Sequence, residues 1–116
     1  MYLNVHEAFK MFNGMFAFSL WDERNKSLYI VRDRFGIKPL YYYQDDELLL
    51  FASEIKALRA HRDFKSGINH QGLSEYLWYG TALGESSLYD RVKKLLPGHF
   101  IKVTKNNFQL KLMYLL

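Results

Sequence analysis

Cysteine is absent from this 116-residue sequence. Since the cysteine thiolate serves as nucleophile and metal ligand, its absence excludes disulfides, thiolate metal sites and a cysteine nucleophile within the chain. The sequence also lacks any run of roughly 18 to 20 apolar residues, the length that a membrane helix needs. Its first ten residues, MYLNVHEAFK, do not resemble a signal peptide. We therefore expect a cytoplasmic protein without a membrane partner.

Several other functional patterns are missing. No GxxxxGK[ST] phosphate loop and no GxSxG elbow occurs, and the four histidines lack metal-site spacing. The acidic run at 45–47 falls in a predicted turn, where such residues are usually solvated. The net charge of +4 comes from scattered lysines and arginines rather than from one basic block, so we expect no nucleic-acid partner.

Apolar residues are abundant, at 49% of the chain, and aromatic residues make up 17%. This composition favours a folded protein of one domain, or a piece of a larger domain. Short apolar runs, rich in β-branched and aromatic residues, predict strands at 15–21, 27–31, 40–43 and 48–52, joined by short polar turns. Turns of that length predict an antiparallel meander of four strands.

Helices are predicted at three places. The segment 6–12 forms a short amphipathic helix that ends at Asn13 and Gly14, and Ser53 caps a helix over 54–61. Asn69 caps another, in which Leu73, Tyr76, Leu77 and Gly80 share one face. The segment 86–100 predicts a short helical turn that ends at Pro97 and Gly98. A terminal hairpin over 100–103 and 108–112 completes an α+β fold.

Strands that are apolar on both sides predict a sheet covered on both faces. Two helices of two or three turns cover only one face. The sequence therefore predicts that the chain either oligomerises or forms part of a larger domain.

The most concentrated motif is RDRFGIKP, residues 32–39. Arg32 and Arg34 lie two apart on a strand, Gly36 permits a tight reversal, and Pro39 favours an extended Lys38. One interpretation is a structural corner in which Asp33 binds the turn backbone or an arginine. The other is an anion or partner-domain contact through Arg32, Arg34 and Lys38.

The segment NGMFAF, residues 13–18, offers a remote alternative, because RNA-recognition sheets stack bases on exposed rings of a similar strand. Asn13 and Met15 stand where that motif has a basic residue and an aromatic residue, and the order of elements differs. RNA binding is therefore the weakest interpretation.

Three blocks together, FNGMFAFSLWDERNKSLYIVRDRFGIKPLYYY, LLLFASEIKAL and YDRVKKLLPGHF, resemble the class II glutamine amidotransferase domain of glutamine-hydrolysing asparagine synthetases. The resemblance covers residues 5–105. It implies an N-terminal-nucleophile fold, an αββα sandwich of antiparallel sheets. It also implies a reaction in which an N-terminal cysteine attacks the glutamine amide and its own α-amino group acts as base.

Residue by residue, the resemblance carries over no catalytic residue. Tyr2 stands where the nucleophile is expected, and the glutamine-binding residues of the family precede the NGMF block. We expect residues 1–116 to be the C-terminal half of a glutaminase domain, without its catalytic half and without the ATP-dependent synthetase domain. The chain itself would then hold no cofactor, since ATP and Mg²⁺ belong to that synthetase domain, and it would be inactive.

The resemblance makes Arg32, Asp33, Gly36 and Pro39 candidates for fixing a sheet corner. It makes Arg34 and Lys38 candidates for contacts with the missing domain. An interaction module remains the main alternative: the chain would complement a separate N-terminal half, or pair with itself through its sheet.

Overall fold

A computed structural model describes residues 16–37 and 39–105, and the backbone of 107–112. The predicted helix at 6–12 and the start of the first predicted strand lie outside the described residues. In chain order the elements are β1 (Ala17–Asp22), β2 (Ser27–Arg32), β3 (Tyr41–Gln44), β4 (Leu49–Ala52), α1 (Ile55–Arg59), α2 (His70–Tyr79), β5 (Val92–Lys94), β6 (His99–Thr104) and β7 (Asn107–Leu112). All strand pairs are antiparallel, which confirms the α+β prediction and agrees with the sheet content of an incomplete N-terminal-nucleophile sandwich.

The chain divides into two compact units, one formed by the described residues up to 37 together with those from 97 onward, the other by 39–96. The first unit holds a four-stranded sheet in the order β1-β2-β6-β7. Hairpin turns join β1 to β2 and β6 to β7, and the predicted terminal hairpin is confirmed. The central pair, β2 and β6, joins segments about 70 residues apart.

The core of the first unit lies on the central strands. Tyr29, Val31 and Phe100 form a buried cluster, against which the partly buried Phe16 and Phe18 pack. Ile30 and its register partner Ile101 alternate to the opposite face and are also fully buried, at 0% exposure each. The centre of this sheet is therefore covered on both faces, as the apolar pattern predicts.

The second unit holds a three-stranded sheet in the order β4-β3-β5. Its centre is Tyr43, which is fully buried and clusters with Leu58 of α1 and Val92 of β5. The Tyr43 ring lies 5.0 Å from that of Phe64, measured between centroids. The amphipathic spacing of α1 thus places one buried leucine against the sheet.

The prediction of a four-stranded meander is wrong. β2 pairs with β6 and β3 pairs with β5, so the first two hairpins belong to different sheets. The predicted helical turn before Pro97 is also wrong, because Val92–Lys94 forms β5. Its backbone follows the open edge of β3, and that pairing outweighs the local spacing of Val92, Leu95 and Leu96.

Both predicted helices after residue 53 are confirmed, with different starts and packing. α1 begins after Glu54 rather than Ser53, and no side chain caps it. Asn69 precedes α2, but its side chain donates to the carbonyl of Ser87 at 3.0 Å instead of capping the helix. Gly80 ends α2 in the left-handed conformation, with φ 78°.

Candidate functional site

Residues 32–36 of the RDRFGIKP motif form a corner at the end of β2, which we call the Asp33 corner. Asp33 is 1% exposed, and its Oδ1 accepts hydrogen bonds from the backbone N–H of Phe35 at 2.9 Å and of Gly36 at 2.7 Å. Its Oδ2 accepts the backbone N–H of Phe16. One carboxylate thus satisfies three backbone donors from two segments of the chain, a common role for aspartate at turns.

The backbone of Asp33 adds two further contacts. Its N–H donates to the carbonyl of Phe16 at 3.0 Å, and its carbonyl accepts the N–H of Gly98 at 2.7 Å. The corner therefore joins three segments: the start of β1, the end of β2 and the turn before β6. These contacts make Asp33 a hydrogen-bonding centre of the first unit.

Arg32 and Gly36 complete the corner. Arg32 is 8% exposed, and its Nη2 donates to the carbonyl of Gly36 at 2.7 Å. Gly36 has φ 64°, and a Cβ there would overlap the ring of Pro97 and lie 3.3 Å from the Arg32 guanidinium. Both the backbone conformation and the available space therefore require glycine at this position.

The remaining motif residues lie apart from these three. Arg34 is exposed, with its guanidinium carbon 5.1 Å from the centroid of the Phe35 ring. Pro39 is exposed and belongs to the second compact unit, while Lys38 lies outside the described residues. The structure thus brings together Arg32, Asp33 and Gly36, and it does not bring all six candidates into one site.

A separate cavity lies within the second unit. It measures about 180 Å³ and is lined by Tyr41, Ile55, Tyr76, Thr81, Ala82, Ser86, Ser87, Leu88 and Lys94. The Nζ of Lys94 donates to the carbonyl of Ala82 at 2.6 Å. Ser87 is 3% exposed, and its hydroxyl lies 2.5 Å from the carbonyl of Val92 and accepts the N–H of Tyr89 at 3.1 Å. A backbone-bonded serine of this kind has a structural role rather than that of an activated nucleophile.

Sequence reasoning did not predict this cavity. Its lining comes from β3, α1, α2, β5 and the segment between α2 and β5, which are distant in sequence. The one available sequence signal is the pair of serines, Ser86 and Ser87, before β5, and such pairs are typical of many loops.

Titratable groups in the described sheets are tuned by structure. Burial, and after it the negative charge of Glu85, raises the pKa of Tyr42. Hydrogen bonds from the backbone N–H of Glu47 and from the hydroxyl of Tyr43 hold the pKa of Asp45 below its usual range. Asp45 therefore anchors the turn between β3 and β4, where the sequence predicts a solvated acidic turn.

The described part of the chain contains neither a metal site nor a membrane-spanning helix. Its histidines and carboxylates form no cluster suited to a metal ion. No described helix combines the length and the apolar content needed to cross a membrane.

The sequence matches the glutamine amidotransferase domain family over residues 3–114. It is 36% identical over 99 residues to asparagine synthetase (glutamine-hydrolyzing) 3 of Bacillus subtilis, covering 84% of this chain and 16% of that protein. It is 41% identical over 93 residues to asparagine synthetase (glutamine-hydrolyzing) 1 of the same organism, covering 79% of this chain and 14% of that protein. An amidase of Gibberella zeae, chry2, is 36% identical over 92 residues, covering 76% of this chain and 12% of the amidase.

This chain thus spans about a sixth or less of the length of these curated relatives. The family match, by contrast, covers nearly all of the chain, including both sheets and the Asp33 corner. The chain therefore belongs to the glutamine amidotransferase domain family.

Proposed function

We propose that this chain supplies the sheet framework of a glutamine-hydrolysing amidotransferase domain and does not hydrolyse glutamine by itself. The observation that carries the proposal is a family match over residues 3–114 in a chain without cysteine. Amide hydrolysis through a covalent intermediate requires an activated nucleophile with a nearby base. The resemblance assigns that role to a cysteine, which the chain does not contain.

The Asp33 corner supports a framework role. A catalytic carboxylate must reach a substrate or a water molecule within hydrogen-bond distance. The Asp33 carboxylate is instead buried and accepts three backbone N–H groups. The most distinctive motif of the chain therefore contributes hydrogen bonds to the fold, with Arg34 and Lys38 proposed to contact a neighbouring domain.

For the longer protein of which this chain would form a part, we propose the two-step chemistry that the resemblance to glutamine-hydrolysing asparagine synthetases implies. Glutamine hydrolysis would release ammonia, which would then attack an aspartate activated by ATP and Mg²⁺ in a separate synthetase domain. Asparagine synthetases that hydrolyse glutamine are the relatives that support this assignment. We propose that ATP and Mg²⁺ bind to that synthetase domain and not to this chain. We also propose that the longer protein works in the cytoplasm.

A second candidate function is an interaction module that complements a separately expressed N-terminal half. β1 stands at the end of the strand order in the first sheet, and its Leu20 and Trp21 are 41% and 54% exposed. Exposed apolar side chains on a terminal strand favour contact with another segment. The RNA alternative is less well supported, because Phe16 and Phe18 pack against the core cluster instead of presenting open rings.

Complementation tests both candidates. The chain is coexpressed with a segment of asparagine synthetase (glutamine-hydrolyzing) 3 of Bacillus subtilis, namely the N-terminal segment that precedes the region matched by this chain. Glutamine-dependent formation of glutamate is then measured. The framework proposal expects turnover only when both pieces are present. Turnover by the chain alone would contradict it.

Matched variants separate the module from the framework. Leu20→Lys places a charge on the terminal strand, whereas Ile68→Lys places one on a similarly exposed aliphatic residue, at 48% against 41%. If β1 forms the contact, Leu20→Lys should weaken complementation at least about tenfold and Ile68→Lys should have no effect, since an unpaired charge in a contact is costly. Equal effects of the two variants would reject the β1 contact.

A further inference from the structure

The cavity of the second unit has the size of a site for one small molecule. Its volume is about 180 Å³. An apolar protein cavity of about 150 Å³ binds one benzene molecule, and a group the size of a water molecule takes up about 30 Å³. The cavity therefore has room for one six-membered ring that carries one small substituent.

The wall of this cavity is mostly apolar. Ile55, Ala82 and Leu88 are its aliphatic residues. Tyr41 and Tyr76 add two aromatic side chains. Aromatic rings pack well against one another in offset or edge-to-face arrangements. The wall thus favours an occupant whose body is an apolar, planar ring.

The wall also carries a positive charge. Among the lining residues that the structure describes, Lys94 is the one cation and none is acidic. Lys94 of β5 lies directly opposite Tyr41 of β3, so the two side chains share one face of the sheet. The Nζ of Lys94 donates to the carbonyl of Ala82 at 2.6 Å, which holds the ammonium group at the wall. An ammonium group has three N–H donors and can bind this carbonyl and an anion together.

Two acidic residues near the lining segments in sequence have other partners. The carboxylate of Glu75 accepts the backbone N–H of Leu83 at 2.6 Å, and that of Glu85 lies 4.0 Å from the Nζ of Lys93. Because side chains alternate along a strand, Lys93 and Lys94 point to opposite faces of β5. An anion in the cavity would therefore meet the Lys94 ammonium without facing an acidic lining residue.

The exposure of the lining residues shows how a ligand can enter. Ala82 and Ser87 are 8% and 3% exposed and lie at the inner end, whereas Tyr76 is 48% exposed and lies at the mouth. A ring that enters past Tyr76 loses its contact with water. A hydrogen bond to a charged group is stronger in such a place than in water.

We propose that the cavity binds an aromatic monocarboxylate of about nine non-hydrogen atoms, with its ring against the apolar wall and its carboxylate on the ammonium group of Lys94. Inorganic phosphate fits poorly, because its charged oxygens would lie against apolar side chains. A neutral ring of the same size fits the wall but lacks the charge-assisted hydrogen bond. This site is independent of glutamine turnover and of the β1 surface.

Titration of the isotope-labelled chain at pH 7, followed by nuclear magnetic resonance, tests the proposal with benzoate, benzamide and inorganic phosphate as probes. We expect benzoate to bind with a dissociation constant of about 1 mM or below. The largest shifts should occur at the amides of Thr81, Ser86 and Leu88, which line the cavity. Benzamide has the same ring and a similar shape without the charge, so it should bind at least about tenfold more weakly. Phosphate should not displace benzoate.

Matched variants test the two parts of the site, with each preparation checked by circular dichroism and thermal melting. Lys94→Met keeps an unbranched side chain, so it should weaken benzoate binding at least about tenfold and leave benzamide binding unchanged. Lys93→Met is the control, because Lys93 is an exposed lysine of the same strand and points to the other face. Tyr76→Ala should weaken the binding of both probes. Tyr79→Ala, on the same helix and outside the lining, should weaken neither.

Four results would overturn the proposal. The first is an unaltered spectrum at roughly 10 mM benzoate, and the second is equal binding of benzoate and benzamide by the unaltered chain. The third is a folded Lys94→Met variant that binds benzoate as tightly as the unaltered chain. The fourth is equal weakening by Lys93→Met or displacement of benzoate by phosphate, since either would mean that a general attraction of anions to surface lysines causes the binding.

Discussion

The Oδ1 of Asp33 accepts the backbone N–H of Gly36 at 2.7 Å, within a corner where Gly36 has φ 64°. The two residues depend on each other. Glycine gives the chain the left-handed conformation that brings its N–H under the carboxylate, and the carboxylate satisfies that N–H away from water. Because Asp33 and Gly36 support each other in this way, substitution of either residue should lower the stability of the chain.

Asp33→Ala should lower the free energy of unfolding by about 2–4 kcal/mol, since three backbone N–H groups lose their acceptor in a buried position. Urea unfolding followed by circular dichroism measures the change. Asp46→Ala is the control, because Asp46 is exposed, and it should change stability by less than about 0.5 kcal/mol. If Asp33→Ala and the unaltered chain unfold at the same urea concentration, the structural role of Asp33 is contradicted and a binding role for the motif is favoured.

Gly36→Ala should destabilise the chain by about 3 kcal/mol or more, through an unfavourable backbone conformation and overlap with Pro97. Gly84 provides the comparison, since its φ is 60° and a Cβ there would meet nothing within 4 Å. Gly84→Ala should therefore cost only the conformational part, about 1–2 kcal/mol. Thermal melts of the two variants separate these contributions, and equal losses would mean that Pro97 moves aside without cost.

Gly72→Ala should destabilise the chain by about 2 kcal/mol, although alanine is the better helix former by about 1 kcal/mol. A Cβ at Gly72 would overlap the carbonyl of Ser87 and lie 3.0 Å from the Asn69 side-chain amide. Ser74→Ala, at an exposed position of the same helix, should leave stability unchanged or raise it slightly. Chemical denaturation of both variants tests this opposition; a stabilised Gly72→Ala variant would show that α2 is not anchored through Gly72.

Asp45 should contribute to the pH dependence of stability. Its pKa is lowered in the folded chain by the N–H of Glu47 and the hydroxyl of Tyr43, so its contribution is present above about pH 4 and is lost as the pH falls further. The melting temperature of Asp45→Asn should fall less between pH 6 and pH 3 than that of the unaltered chain. Asp46→Asn removes the same charge from an exposed position and should keep the original pH dependence.

The hairpins were predictable from the sequence because their signals are local. Short apolar runs on either side of a polar turn predict β1 with β2, β3 with β4, and β6 with β7, and each pair forms. The assignment of these hairpins to two sheets was not predictable. It depends on the pairs β2–β6 and β3–β5, whose members are far apart in sequence, and a period of two does not specify the partner.

The Asp33 corner was partly predictable. Sequence reasoning favoured an aspartate that binds the turn backbone, and Asp33 does so. It did not predict the contribution of Phe16, which comes from 17 residues away. Neither did it predict that Gly72 would anchor α2, since the shared face of Leu73 and Leu77 favours burial of those leucines. A contact in which a glycine lies close to another backbone segment, as Gly72 does to the carbonyl of Ser87, produces no apolar periodicity that sequence reasoning could detect.

A glutaminase assay on the purified chain tests most directly whether the chain hydrolyses glutamine by itself. Glutamate and ammonia are measured after incubation with glutamine, and full-length asparagine synthetase (glutamine-hydrolyzing) 3 of Bacillus subtilis serves as the positive control. A chain without cysteine, whose most distinctive carboxylate is held by backbone N–H groups, should release no more glutamate than the blank. Turnover well above the blank that purifies with the chain would contradict the account.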